Sequence, residues 1–362
     1  MSQNIAQITA PVVAPHAHGG GSVTRTMHIV QAALVPVTLY GFWLYGWPAI
    51  ILWTLTVGFC LMWEALSLRL AGQPAKRHLL DGSAVLTGWL LALTLPPWAP
   101  WWVALVGSFI AIVFAKQMFG GLGQNVFNPA MVARVALLVS FPVPLTLWVA
   151  PVPLFSAGAP GFLDSLSIIL GAAPIPDAVT SASLLGYTKT ELSRGVDLAH
   201  SLATAHGGAV LSWVGVRAGS LGESASLLIA LGGLVMLWLR VISWHIPVAM
   251  LLGVAIPAAI GHSVNPVRYL DVASHLLSGG VMLGAFFIAT DYVTSPSTGP
   301  GKLIFGACVG FMTFVIRTWG GYPEGVAFAV LLMNTLAPVI DRFTQPRILG
   351  RDRRGRPLEI KS

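Results

Sequence analysis

The chain has 362 residues, of which 55% are hydrophobic and 9% charged; a soluble domain carries about 25% charged residues, so an ordinary water-soluble fold is excluded. The formal net charge of +7 does not point to nucleic acid, because the lysines and arginines gather in short loops and in the tail RFTQPRILGRDRRGRPLEIKS, where they orient a membrane protein. Cys60 and Cys308 lie far apart inside apolar runs with no Cys or His at metal-ligand spacing, which predicts neither a disulfide nor a metal site.

Taken in chain order, a polar, Gly- and His-rich segment at 1–28 leads into apolar runs at 29–46, 48–69, 82–96, 101–117 and 129–149. The first run has no convincing small-residue cleavage site after it and reads as a retained helix. The third, SAVLTGWLLALTLPP, is short and ends on prolines, which suits a tilted, broken or incomplete span. A longer segment at 150–224 follows, then runs at 225–240, 245–262, 274–291, 303–318 and 324–341, and the basic tail 342–362. Runs near the roughly 20 residues that cross a bilayer predict helices, since a barrel gives short alternating strands. The expected fold is an all-α polytopic membrane protein of ten transmembrane helices.

Arg25, Arg69, Lys76, Arg77, Lys116, Arg240, Lys302 and the tail all fall on one side of a ten-span chain. The excess of cations on cytoplasmic loops puts both termini in the cytoplasm and the segment 150–224 outside. SAVLTGWLLALTLPP followed by FGGLGQNVFNPAMVARVALL resembles GVMLGAFFIATDYV followed by WGGYPEGVAFAVLLMN, a weak internal repeat. Five spans per copy give two inverted repeats, 29–149 and 225–341, a plan in which binding sites form at broken segments.

Four segments could carry chemistry. FGGLGQNVFNPA interrupts two apolar runs: it reads as a tight turn with Asn128 capping the next helix and Pro129 at its first position, and its amides, Asn125 and Asn128, equally suit a neutral heterocycle such as a flavin ring. DAVTSASLL, in the external segment, reads as an ordinary turn in which Asp177 and Thr180 bond their own backbone, or as an exposed, flexible hydroxyl-bearing loop open to a modifying enzyme. The stretch after Asp291, through Thr294, Pro296 and Gly299, reads as an ordered turn on the cytoplasmic side and lacks the lysine-serine ending of a P-loop. GGYPEGVAF puts Glu324 at a helix start, as a cap or as a partner of Arg317. Two further charges lie within spans: Glu64, near enough to the interface to snorkel, and Arg134, which loop carbonyls could satisfy.

FGGLGQNVFNPAMVARVALLVSFP, LGAFFIATDYVTSPSTGPGKLIFG and RTWGGYPEGVAFAVLLMNTLAPVIDRFTQPR resemble the D subunit of the Rnf electron-transport complex and, more distantly, the B subunit of the sodium-translocating NADH:quinone oxidoreductase. The resemblance runs from about Arg25 to Gly350 and is weakest in the external segment. It implies FMN joined through its phosphate to a hydroxyl within the pattern D-x-x-[ST]-G-A-[TS]. The matching positions here are Asp177, Thr180, Ser181, Ala182 and Ser183, with Ser183 the implied acceptor. Ser181 stands where Gly is usual, and Ser183 stands where Thr is commoner. Lys189 or Arg194 could balance the phosphodiester charge. The resemblance also implies a non-covalent riboflavin near Asn125 and Asn128.

The implied function is a membrane subunit carrying electrons through flavin between ferredoxin and NAD, coupled to Na+ or H+ movement across a bacterial inner membrane. The implied partners are the A, B, C, E and G subunits of the complex, with a flavin transferase for maturation. Iron-sulfur centres and the NADH site then belong to those partners, because this chain carries neither the cysteines nor a dinucleotide fingerprint. Judged on the inverted repeat alone, the competing reading is a secondary transporter; a non-redox membrane scaffold is a third.

Overall fold

The computed structural model describes residues 22–173, 180–181, 183–195, 198 and 218–345. Asp177 and Ala182, most of the N-terminal segment and the basic tail from 346 lie outside the described residues, and only the backbone is described at Thr180 and Ser181.

The chain is a multi-pass helical membrane protein. Among the described residues, six helices are long and apolar enough to cross a bilayer: α1 (Val23–Tyr45), α2 (Trp47–Leu70), α4 (Trp101–Phe119), α8 (His245–Val264), α11 (Gly299–Trp319) and α12 (Val326–Phe343). Three shorter apolar helices stand among them: α3 (Ser83–Thr94), α5 (Pro129–Ser140) and α7 (Ser226–Trp238). Outside these, α6 (Leu184–Ser193) is a helix of the inter-half segment. Upstream of α6, β1 (Trp148–Val149) pairs antiparallel with β2 (Thr180–Ser181), Trp148 facing Ser181.

The starts of these helices follow from local chemistry. Ser22 caps α1 by accepting the Arg25 N–H, Thr298 caps α11 by accepting the Gly301 N–H, and Asn128 caps α5 by accepting the Met131 N–H, with Pro129 in the first turn. Each cap satisfies one of the amides that a helix start leaves without an internal partner. The reading of Asn128 and Pro129 as a helix start is therefore borne out.

The two halves share one apolar core, in which Leu34, Leu91 and Met131 belong to the same cluster as Ile229, Met250, Phe286 and Val330. Its tightest joint is the pair α8 and α11. A Cβ at Gly310 would run into the Met250 carbonyl, and one at Gly253 into the Ala307 carbonyl, so these glycines set the close approach of the two backbones. Association of helices in lipid depends on such small-residue contacts, because lipid tails are as apolar as leucine.

Two expected spans are corrected. The run expected at 129–149 is helical only to Ser140: Phe141 leaves the helical region, Pro142 starts a short helix to Thr146, and the chain then turns extended into β1. The run expected at 274–291 is broken. It forms α9 (Val272–Leu277) and then α10 (Val281–Leu283, continued by a π-helical turn over Gly284–Ile288). Between them Gly279 takes the left-handed conformation at φ +65°, and a Cβ there would strike the Glu324 carboxylate and the Arg317 guanidinium. A break of this kind within a membrane protein is tolerated only where protein groups satisfy the freed backbone.

That joint gives a stability test. Gly279→Ala adds the left-handed strain, about 1–3 kcal/mol, to a collision with an ion pair. Gly72→Ala, at φ +66° with open space around it, adds the strain alone. Thermal unfolding in detergent will lower the midpoint more for Gly279→Ala than for Gly72→Ala, and equal shifts would contradict this account of the break.

Candidate functional site

Ser183 is the residue before α6 and caps it, its Oγ accepting the Gly186 N–H at 3.3 Å. It is 7% exposed, so the expected exposure is corrected at this residue; residues 177–179 and 182 of the same loop lie outside the described residues. Two residues upstream, Ser181 is held by its pairing with Trp148. Downstream, Leu185 packs with Leu198 and Leu270, and Thr188 is buried.

Lys189 ties α6 to the second half. Its Nζ donates to the carbonyls of Arg317 at 3.1 Å, Tyr322 at 3.1 Å and Gly320. These are carbonyls at and just beyond the C-terminal end of α11, where a helix leaves acceptors unused and its dipole favours a cation. Partial burial lowers the Lys189 pKa from the ordinary lysine value, while the three acceptors favour the charged form. Of the two cations expected near a phosphate, Lys189 lines the same cavity as Ser183 and Arg194 pairs with Glu191 at 2.9 Å on the surface.

Two cavities meet Ser183. One of about 380 Å³ is lined by Ser183, Trp148, Lys189, Thr190, Gly321 and Pro323. The other, about 20 Å³, lies between Ser183, Glu223, Ser224, Ser278 and Gly279. Ser183 thus shares the small cavity with the break between α9 and α10.

Arg317 holds that break together. Its guanidinium donates to the carbonyls of His275, in the last turn of α9, at 2.7 Å and of Ser278, just beyond it, at 3.0 Å, and to Glu324 at 2.9 Å. Glu324 in turn accepts the Gly280 N–H at the start of α10. Of the two readings of Glu324, the pair with Arg317 is the one formed, and α12 begins beyond it at Val326. Arg134 is also buried, within the field of Glu223 and Glu324, and its Nη1 meets no hydrogen-bond partner among the described residues. Loop carbonyls do not satisfy that nitrogen.

Asn125 and Asn128 line a different cavity, about 130 Å³, together with Ser83, Lys116, Phe287 and Asp291. Met236, near the far end of α7, also lines it, whereas Glu223 of the Ser183 site precedes α7, so a rise of roughly 15 Å along that helix separates the two sites. The Asn128 N–H donates to Asn334 Oδ1 at 3.3 Å, and Asn334 donates to the Thr294 carbonyl at 2.9 Å. Asn125 donates to the Phe127 carbonyl at 3.0 Å. Asp291 accepts from Val293 N–H and Thr294 Oγ1, which makes the ordered turn expected there.

Beside this cavity lies a second buried ion pair. Lys116 Nζ donates to Glu64 at 2.9 Å and to Ser83 Oγ at 2.7 Å, with Lys116 and Glu64 each 2% exposed. Lys116 is therefore a core cation and not a loop charge that orients the chain, and Glu64 does not snorkel to the interface. Nothing local in the sequence joins residues 52 positions apart.

A profile of the NQR2, RnfD, RnfE family matches residues 12–350. The chain belongs to that family. Similar proteins, each named as the D subunit of an ion-translocating oxidoreductase complex, occur in Stutzerimonas stutzeri, 52% identical over 93% of this chain and 95% of the relative, and in Halorhodospira halophila, 48% identical over 96% and 97%. A third, from Rhodobacter capsulatus, is 49% identical over 84% of this chain and 85% of its own length. Resemblance to the D subunit of that complex is thus borne out over nearly the whole chain.

In this member of the family, the Glu64–Lys116 pair gives a second test. Removing one partner of a buried pair costs about 3–5 kcal/mol, because the other charge is stranded. Lys116→Met will reduce the amount of folded protein recovered after detergent extraction sharply, and adding Glu64→Leu will recover much of the loss. A double variant as unstable as the sum of the singles would contradict the pairing.

Proposed function

We propose that this chain is the D subunit of an ion-translocating electron-transport complex, with ten spans in two inverted halves in a bacterial inner membrane and both termini cytoplasmic. Its redox group is FMN esterified through its phosphate to Ser183 on the outer side. Electrons pass through that flavin between ferredoxin and NAD, coupled to Na+ or H+ movement, with the A, B, C, E and G subunits carrying the other centres and a flavin transferase loading Ser183. The flavin, when bound, supplies one- and two-electron chemistry, and the protein supplies position and electrostatics.

The observation that carries the reading is the setting of Ser183. Ser183 lines a cavity of about 380 Å³ together with the apolar residues Trp148 and Pro323 and the polar residues Lys189 and Thr190. A mostly apolar cleft with a few convergent polar groups is what a planar heterocycle needs. Asp177, Thr180, Ser181 and Ala182 are the remaining members of the motif. Asn125 and Asn128 are proposed as contacts of a non-covalent riboflavin in the cavity of about 130 Å³, where their amides share a wall with Phe287.

Two variants test the proposal. Ser183→Ala, purified within its complex, will lose all flavin fluorescence on a denaturing gel while Thr180→Ala keeps it; fluorescence retained by Ser183→Ala would move the attachment elsewhere. Asn125→Leu will lower the flavin that acid extracts from the native protein, and an unchanged yield would remove Asn125 from the second site.

A further inference from the structure

The docked position of Ser183 conflicts with its modification. Resting on the reading of Ser183 as the FMN acceptor, the transfer needs an activated phosphate, because the phosphate monoester of FMN has no good leaving group; a flavin pyrophosphate donor such as FAD supplies one. The Ser183 Oγ–P bond forms, the P–O bond of the pyrophosphate bridge breaks, AMP leaves, and the hydroxyl proton passes to a base of the transferase. In-line attack requires the oxygen, the phosphorus and the leaving group to align inside the active site of another protein. Here Ser183 is buried, its Oγ accepts the Gly186 N–H, and the residue is pinned by β2 on one side and α6 on the other.

We propose that Lys189 is a latch: flavin is added to Ser183 while α6 is undocked, and closure of Lys189 onto the carbonyl end of α11 then seats the modified residue against the break between α9 and α10. Three features of the contact suit a latch. The ammonium has three N–H groups and meets three carbonyls, those of Arg317, Gly320 and Tyr322, so its donors are saturated in one place. The contact spans 128 residues of sequence and joins the inter-half segment to a transmembrane helix, so it forms only when α6 docks. It also sits six residues beyond Ser183, on the helix that Ser183 caps, and both residues line the same cavity. Lys189 is on this account a positioning residue, with the hydroxyl of Ser183 as the group it places.

The test uses the full chain made in cells that lack a flavin transferase, purified into lipid nanodiscs and then given the transferase and FAD. Lys189→Met, which keeps the apolar stem and removes the charge-assisted bonds, will take up flavin roughly tenfold faster than the unaltered chain, because the open fraction limits the rate. A second variant guards against misfolding: Lys189→Arg, which keeps a charged donor for those carbonyls, will take up flavin no faster than the unaltered chain. Equal rates in the unaltered chain and Lys189→Met, or loading of Lys189→Arg as fast as Lys189→Met, would overturn the latch and leave Ser183 as the acceptor. Absence of flavin from every form, with the transferase active on another substrate, would overturn the Ser183 reading and the latch together.

Discussion

The guanidinium of Arg317 is the interaction on which the second half depends. A helix broken at Ser278 to Gly280 inside a bilayer leaves carbonyls of one piece and amides of the next without water to bond them. Arg317 reaches the His275 and Ser278 carbonyls, and its partner Glu324 reaches the Gly280 amide, so one ion pair closes both ends of the break. A buried cation is costly unless it is paired and bonded; here Glu324 pairs it and both terminal nitrogens donate where the backbone needs donors, while Nε meets no hydrogen-bond partner among the described residues. The first half has a related device in Lys116, which binds Glu64 and the hydroxyl of Ser83 at the first residue of α3.

Arg317 also connects the membrane core to the proposed flavin anchor. Its side chain faces the break, while its carbonyl, with those of Gly320 and Tyr322, receives Lys189 from α6. Ser183 caps that helix and borders the small cavity with Ser278 and Gly279. An anchor on the inter-half segment is in this way held against a rigid element, which a loop alone would not achieve. The second cavity, with Asn125 and Asn128, lies toward the other end of α7, so the two proposed flavin positions are separated by the depth of that helix.

Much of the fold was legible because helices in lipid are written in local terms. Apolar runs located the spans, and Asn128 followed by Pro129 announced the start of α5. The premature end of α5 had a local signal too, in Pro142 and Pro144, which the length of the apolar run concealed. The break between α9 and α10 had a local signal in Ser278-Gly279-Gly280, which the apolar run LLSGGVMLGAFF concealed, and the ion pair that satisfies it lies about 40 residues away. Lys116 and Glu64 were not legible, since a loop cation and a core cation look alike until the distant partner is known. For Ser183 the family pattern pointed to the residue, but its burial as a helix cap follows from the docking of α6 through Lys189, which no pattern in DAVTSASLL contains.

Intact-mass measurement and peptide mapping of the protein purified from its native host test the central claim most directly. The account predicts an FMN-sized addition, with fragmentation placing it on Ser183 within the peptide from Asp177 to Leu185. An unmodified peptide from cells that flavinylate other proteins, or an addition on Thr180, would contradict it.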